Sequence, residues 1–308
     1  MAVLDAGRVS PLDVPVTATP PLVTRPALRY HGGKWRLAPW IESHFTEHVC
    51  YVEPFGGSAA VLLRKAPSTL EVYNDLNEEA LNFFTMLRER TTDLVDAVEL
   101  TLFSRAELDR SYEPSADPLE RARRWYVRAW QSMGGPRDAD TQSGWRFERV
   151  AQPGNSNVSR WSKTEHLWAS AARLKLVQFE RDDAFAVIRR YDAPTTLFYV
   201  DPPYVTATRG QRWQNVAYRY EFTDADHARL AALLHQVKAS TLVSGYPCEL
   251  YDRLYAGWQR RTRVTTTQAH TQATECLWIS PAAEERLRLW REKRAYGQME
   301  LAIEAEVA

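Results

Sequence analysis

The sequence predicts an α/β fold: an open, mostly parallel sheet of nucleotide-binding type, with an antiparallel hairpin at its C-terminal edge and a long, mostly helical insertion. Three observations predict it. A short strand over 51–53 runs into the turn Pro54-Phe55-Gly56-Gly57-Ser58, a helix spans 59–65, and a second strand over 71–75 ends in an acid. The same strand–helix alternation resumes after about residue 175. An apolar, β-branched and aromatic run over 195–200 is then stopped abruptly by Pro202 and Pro203, which cannot continue a sheet ladder.

Residues 1–26 carry Pro11, Pro15, Pro20, Pro21 and Pro26 and read as a disordered lead-in, with folded structure starting near Leu28. Tyr30-His31-Gly32-Gly33-Lys34 is a second Gly-Gly turn, opening a helix from about 35 to 45. After the first two strands, a helix spans about 78–90, and a mostly helical stretch over 92–173 holds five tryptophans and an irregular part from Gly134 to Asn157. Strands over 176–179 and 197–200 flank a helix over 184–190. A helix over 224–239 is capped by Thr223 or Asp224. A strand over 241–244 and the pair 261–267 and 275–279, an antiparallel edge hairpin, complete the sheet. No internal repeat is visible. The layout assigns 27–91 and 174–283 to one α/β domain, 92–173 to an insertion and 284–308 to a C-terminal helix or tail.

A chain of 308 residues with 44% hydrophobic and 25% charged content is an ordinary globular protein, and its formal charge is zero. The charge is unevenly spread. Between Leu119 and Lys175 eleven basic residues face five acidic ones, a local excess of six that suits phosphate contact. Cys50, Cys248 and Cys276 form no CxxC pair, and the seven histidines show no metal-ligand spacing, which excludes a disulfide frame and a zinc site. No stretch approaches 18 apolar residues and no leader-like segment opens the chain, so a cytoplasmic, membrane-free protein is expected.

Two clusters carry chemistry. Asp201-Pro202-Pro203-Tyr204 holds a carboxylate, a carbonyl and a phenol stiffly at a strand's carboxyl end, where open α/β sheets bind ligands. Asp201 and the Pro202 carbonyl suit the two hydrogens of a planar amino group, and Tyr204 suits stacking on its ring. In the turn Glu53-Pro54-Phe55-Gly56-Gly57-Ser58, adjacent glycines permit positive φ and a close ligand approach. No Lys-Ser or Lys-Thr comes after it, so this is no Walker loop, and Glu53 repels phosphate while attracting a cation such as the amino-acid end or sulfonium of S-adenosylmethionine. Asp75 stands where an acid accepts ribose hydroxyls.

These motifs, in this order, resemble the Dam-type adenine-specific DNA methyltransferases (the D12 class, α group). Tyr30, Gly32, Gly33 and Lys34 match the family's aromatic-x-Gly-Gly-Lys segment. Glu53, Pro54, Phe55 and Gly57 match its Glu-Pro-Phe-x-Gly-x-Gly loop, with Ala59 in place of the last glycine. Asn74-Asp75 and Asp201-Pro202-Pro203-Tyr204 match its next acid and its catalytic motif. The resemblance covers roughly 28–281 and is weakest across the insertion. It implies a Rossmann-like S-adenosylmethionine-dependent methyltransferase sheet with the insertion as target-recognition domain. It implies a cofactor site of Tyr30, Gly32, Gly33, Lys34, Glu53, Pro54, Phe55, Gly56, Gly57, Ser58, Asp75 and Asp183, with Asp182 the alternative to Asp183 for the cofactor adenine. It further implies catalysis by Asp201, Pro202, Pro203 and Tyr204 on an adenine flipped from double-stranded DNA, in a monomeric enzyme without metal. Arg137, Gln142, Arg146, Asn155, Asn157 and Arg160 are the candidates for DNA contact, and most of the tryptophans are expected in the core. Methylation of RNA adenine, of cytosine N4 or of protein glutamine, and a catalytically silent DNA-binding protein, are the competing readings.

Overall fold

The computed structural model describes residues 22–30, 32–136, 142–150, 154–208, 220–266 and 272–293. The candidate Arg137 lies outside them, as does nearly all of the lead-in.

Strands β1 (Cys50–Glu53), β2 (Leu70–Asn74), β3 (Val177–Glu180), β4 (Thr196–Val200), β5 (Ser240–Gly245), β6 (Gln259–Thr266) and β7 (Gln272–Ile279) form one seven-stranded sheet in the order β3-β2-β1-β4-β5-β7-β6. The first five in that order are parallel. β7 enters antiparallel between β5 and the edge strand β6, making the C-terminal hairpin part of the same sheet. Val52 pairs with both Val72 and Phe198, so β1, β2 and β4 run in register and their carboxyl ends meet at one edge.

Successive residues of a strand point to opposite faces, and the core obeys that alternation. Tyr51, Tyr73, Leu197, Tyr199 and Leu242 pack one face, with the insertion's helices. Val52, Val72, Phe198, Val200 and Val243 pack the other, against α9 (Ala184–Tyr191), α10 (Asp224–Leu234) and α11 (Glu249–Leu254). Cap chemistry sets the helix starts near the site. Asn77 accepts amides at the start of α3 (Glu78–Glu89), Asp183 does so for α9, and Thr223 with Asp226 forms a reciprocal capping box on α10. Thr223 is therefore the cap, and α10 ends five residues short of the predicted 239. Helix α1 (Ala38–Glu42) is shorter than the helix read over 35–45, and α2 (Ala60–Arg64) comes directly after the glycine turn. The C-terminal helix α12 starts at 281, just after β7, and is described to residue 293.

Among the described residues the insertion builds no core of its own. Its helices α4 (Thr91–Glu99), α5 (Arg105–Arg110), α6 (Pro118–Gln131), α7 (Asn157–Trp161) and α8 (Glu165–Leu174) join the core of the first sheet face through Leu94, Leu108, Trp125, Tyr126, Trp130, Trp161 and Leu167. Trp145 and Trp168 pack on that cluster from its rim. Chain packing also begins earlier than Leu28: Val23 is buried, and the Arg25 guanidinium lies 3.8 Å from the Trp130 ring centroid while donating to the Lys163 carbonyl at 2.9 Å.

A buried ionic cluster pins the insertion to the sheet. Glu71 of β2 is fully buried; Arg173 of α8 donates to it at 2.7 Å and to the Leu62 carbonyl at 3.0 Å, and Lys65 pairs with it from the end of α2. Burial alone disfavours the charge on Glu71, but Arg173 and Lys65 together hold its carboxyl below the usual range. Removing Arg173 strips charge-assisted hydrogen bonds from Glu71 but leaves Lys65 paired with it. Arg173→Met is therefore expected to lower unfolding free energy by about 1.5–3 kcal/mol, read as a reduced urea midpoint at unchanged slope.

Candidate active site

The turn after β1 is held by its neighbour strand. The Gly56 amide donates to the Asn74 carbonyl at 2.7 Å, the Gly57 amide to Asp75 Oδ2 at 2.7 Å, and the Tyr73 hydroxyl to the Gly57 carbonyl at 2.7 Å. Glycine is required at position 56, where a Cβ would stand 2.3 Å from the Tyr73 ring. Gly57 takes φ +50°, which a side chain disfavours. Ala59 keeps the left-handed conformation as well (φ 52°, ψ 32°), so the chain accepts about 1–2 kcal/mol of local strain at the start of α2. Asp75 also accepts the Asn77 amide at 2.8 Å, and the Asn77 side chain donates to the Tyr30 hydroxyl at 3.1 Å. The two Gly-Gly turns are thereby tied into one wall.

Glu53 is 2% exposed, and its Oε1 accepts the Tyr51 hydroxyl at 2.7 Å and the Leu62 amide at 2.8 Å. Burial outweighs those two hydrogen bonds and pushes its carboxyl up to about 8. An acid so displaced, lining a cleft, is a mark of a functional site.

At the end of β4, Asp201 Oδ2 accepts the Lys34 ammonium at 2.9 Å, while Oδ1 is buried with no hydrogen-bond partner of normal geometry among the described residues. Lys34 also donates to the Gly32 carbonyl at 2.7 Å and lies 4.7 Å from the Tyr204 ring centroid. Tyr204 is 7% exposed; its hydroxyl donates to Glu275 of β7, and Tyr246 meets its ring edge-on at 4.9 Å. Burial raises the Asp201 carboxyl, and the Lys34 ammonium, with the nearby Tyr204 hydroxyl, pulls it back.

The two glycine turns, Glu53, Asp75, Lys34 and Asp201 border one cleft of about 940 Å³, measured out to its open mouth, whereas Tyr204, Tyr246 and Glu275 do not line it. Eleven of the twelve candidate cofactor residues line it, from Tyr30, Gly32, Gly33 and Lys34 through Glu53 to Ser58 and Asp75, together with Asp201, Pro202 and Pro203. Asp183 does not. Its Oδ1 caps α9 by accepting the Phe185 amide at 3.0 Å and the Ala186 amide at 3.2 Å, and Ala184 is the residue of that segment that lines the cleft. Asp182 pairs with Arg190 at 2.6 Å. Sequence reasoning missed Leu76, Phe222 and Glu275. Leu76 stands directly after the strand-ending acid, which was a usable signal. Phe222 and Glu275 come to the site through tertiary packing.

The DNA-contact candidates separate by burial. Gln142 and Asn155 are exposed, and Arg160 donates to Asn155 Oδ1 at 2.6 and 3.1 Å. Asn157 is buried and its amide holds the Arg146 carbonyl at 3.1 Å, which makes it a packing residue of the loop. Arg146, half-buried, donates to the Ser132 carbonyl at 3.1 Å. Arg29 was not foreseen: burial and the nearby charges of Arg146, Arg160, Arg25 and Arg36 bring its guanidinium down to about 10. Gly135 at φ +79°, where a Cβ would stand 2.5 Å from the Arg29 carbonyl, seats the insertion directly against this segment.

Among the described residues no group of three or more His, Cys, Asp or Glu is placed to hold a metal ion, and no helix is long and apolar enough to cross a membrane. The strand order, with the glycine-turn cleft over β1 and β2 and a carboxylate ending β4, is that of an open α/β sheet with a ligand cleft at its carboxyl edge. A family model described as D12 class N6 adenine-specific DNA methyltransferase matches residues 30–114 and 146–270, and the chain belongs to that family. The DNA adenine methylase of Serratia marcescens is 24% identical over 276 residues, covering 82% of this chain and 97% of that protein. That of Haemophilus influenzae is 29% identical over 114 residues, covering 33% of this chain and 39% of its own. Of solved structures, a putative methyltransferase from Escherichia coli, yhhF, aligns over 85% of this chain and 89% of its own at 12% identity, with a TM-score of 0.32.

Proposed function

We propose that this chain is a site-specific DNA adenine N6-methyltransferase, moving a methyl group from S-adenosylmethionine to an adenine swung out of double-stranded DNA. One observation carries the reading: Asp201, whose buried Oδ1 has no hydrogen-bond partner of normal geometry among the described residues, borders a cleft that also holds the Glu53–Ser58 turn. A buried carboxylate oxygen is costly to leave unsatisfied, and an exocyclic amine is a donor of the right kind.

The residues present fit the cofactor. The Gly56-Gly57 turn leaves room for close approach, and Asp75 is placed for ribose hydroxyls. Phe55, Leu76, Ala184 and Phe222 offer an apolar slot for a purine, and Glu53 suits the cationic end. When bound, the cofactor supplies an electrophilic methyl on a sulfonium. The protein's work is positioning. An aromatic amine is a weak nucleophile because its lone pair is delocalised into the ring. Asp201 and the Pro202 carbonyl, taking its two hydrogens, turn that lone pair toward the methyl and stabilise the positive charge growing on nitrogen. Tyr204 contributes its ring face to the same developing cation.

In this reading the stretch 92–173 is the target-recognition part, and 27–91 with 174–283 the catalytic part. Arg25, Arg36, Arg146 and Arg160, which share one field with Arg29, hold phosphates together with it, while Gln142 and Asn155 stand exposed for base edges. Arg137 belongs with them as a candidate.

Expression in a bacterium lacking adenine methylation, with methylation-sensitive sequencing of its DNA, is expected to reveal N6-methyladenine in a recurring context. Asp201→Ala should abolish it while S-adenosylmethionine still binds. Modified RNA or N4-methylcytosine in place of N6-methyladenine, or cofactor binding without any transfer, would overturn the assignment.

Cofactor affinity should depend on pH through Glu53. Its carboxyl is neutral below about 8 and must ionise to hold a cation, so calorimetric affinity rises from pH 6 toward 8, by at most about tenfold per unit. Above about 8 an α-amino group loses its own proton, and the gain levels off. Glu53→Gln should flatten the profile. For the cofactor-free protein the sign is opposite. A carboxyl raised on folding contributes stability below its ordinary range, and that contribution is lost as pH climbs through about 8.

Arg29→Ala and Arg146→Ala should each reduce the salt slope of DNA binding by about one unit on any sequence, measured by fluorescence anisotropy between low and moderate salt.

A further inference from the structure

Glu53 borders the cleft, yet neither of the groups that hydrogen-bond to it lines that cleft. The Tyr51 hydroxyl at 2.7 Å and the Leu62 amide at 2.8 Å both donate to Oε1, which leaves Oε2 as the oxygen without a partner among the described residues. Alternate residues of a strand share a face, so β1 itself sets Tyr51 beside the acid. Tyr51 is fully buried, and no ligand in the cleft touches it. Its ring is held in turn. Phe45 packs on it at 5.4 Å, and the Lys65 ammonium stands 4.4 Å from its centroid, bound to the Ala66 carbonyl, the Ser68 hydroxyl and Glu71. A cation over the ring face draws electron density from the phenol and strengthens its O–H as a donor. Burial and the neighbouring Glu53 raise that phenol well above its ordinary range, so it keeps its proton through neutral pH.

We propose that Tyr51 is a positioning residue for cofactor binding: its hydroxyl fixes the Glu53 carboxylate with Oε2 left for the ligand and sustains the negative charge there. The role rests on the reading of Glu53 as the acid that holds the cofactor's cationic end. Burial is the largest influence on Glu53 and brings its carboxyl to about 8; the Tyr51 hydrogen bond is the largest that opposes it, ahead of the Leu62 amide. Of the other groups facing Glu53, Asp201 disfavours its charge and Lys65 favours it. Tyr73 and Tyr199 are raised too far by burial to ionise. Removing the Tyr51 hydroxyl takes a donor from the charged form and moves the ionisation of Glu53 to higher pH.

The test is calorimetric affinity of the full chain for S-adenosylmethionine from about pH 6 to about pH 8.5, in wild type, Tyr51→Phe, Glu53→Gln and the double variant. Phenylalanine keeps a ring under Lys65 and removes the hydroxyl alone. Tyr51→Phe is expected to weaken binding about 3- to 10-fold near neutral pH and to carry the rise in affinity to higher pH. In the Glu53→Gln background the same change should alter affinity by less than about twofold. A Tyr51→Phe profile that matches wild type overturns the proposal. So does an equal loss at every pH that persists in the Glu53→Gln background, which marks a loosened turn and no action on the acid. Should Tyr51→Phe fail to fold, a tyrosine fluorinated beside its hydroxyl at position 51 decides. That phenol is the stronger donor and should carry the rise to lower pH; an unmoved profile overturns the proposal. A wild type that binds no cofactor, or whose profile Glu53→Gln leaves unchanged, overturns the reading of Glu53 along with it. A profile lost in Glu53→Gln but unmoved in Tyr51→Phe overturns the role of Tyr51 alone.

Discussion

Parallel pairing in register brings the carboxyl ends of β1, β2 and β4 to the same edge of the sheet, and the residues just beyond those three ends build the cleft. The Gly56-Gly57 turn leaves β1, Asp75 leaves β2 and Asp201 leaves β4. A one-residue slip would turn each of these groups to the opposite face. The register is secured by burial on both sides: tyrosines and leucines pack under the insertion, while valines and phenylalanine pack under α9 and α10. The hydrogen bond from the Gly57 amide to Asp75 then couples the first two strand ends directly.

That edge concentrates acids where water is scarce. Glu53, Asp201 and Glu275 are all pushed toward their neutral forms by burial, and Lys34 is the cation that moderates the last two. Elsewhere in the core the same chain balances a buried acid fully, as Arg173 and Lys65 do for Glu71. The contrast is physical. Two cations on one carboxylate make a fixed joint, whereas one cation shared by two carboxylates leaves acceptor capacity for a ligand.

The insertion shares the sheet's core, so its position relative to the cleft is set by packing and not by a flexible linker. Glu71 and Arg173 tie its last helix to β2, and Gly135 presses its loop onto the Arg29 carbonyl. Arginines distant in sequence, 25 and 36 on one side and 146 and 160 on the other, consequently act on Arg29, the neighbour in sequence of the cleft-lining Tyr30. The zero net charge of the whole chain conceals this, because its balancing acids lie elsewhere.

The sequence by itself determined the class of fold and most of the cleft. The Pro-Pro stop after an apolar run, the paired glycines after Glu53 and the acid after Tyr73-Asn74 are local signals whose meaning depends only on backbone chemistry. Those residues do line one cavity. Element ends were legible to within a few residues, with α1 and α10 shorter than periodicity suggested. Tertiary structure alone decided the partners. Asp183 reads like a ligand acid, yet its carboxylate caps the helix that begins one residue later. Asn157 reads like a base-reading amide, yet it is buried holding a carbonyl. Glu275 stands 71 residues from Tyr204 in the chain, on an antiparallel strand, and no spacing rule joins them. Local sequence specifies which conformations and functional groups are available at each position. Which group meets which across the sheet is a matter of long-range packing, and that emerges only when the chain is folded.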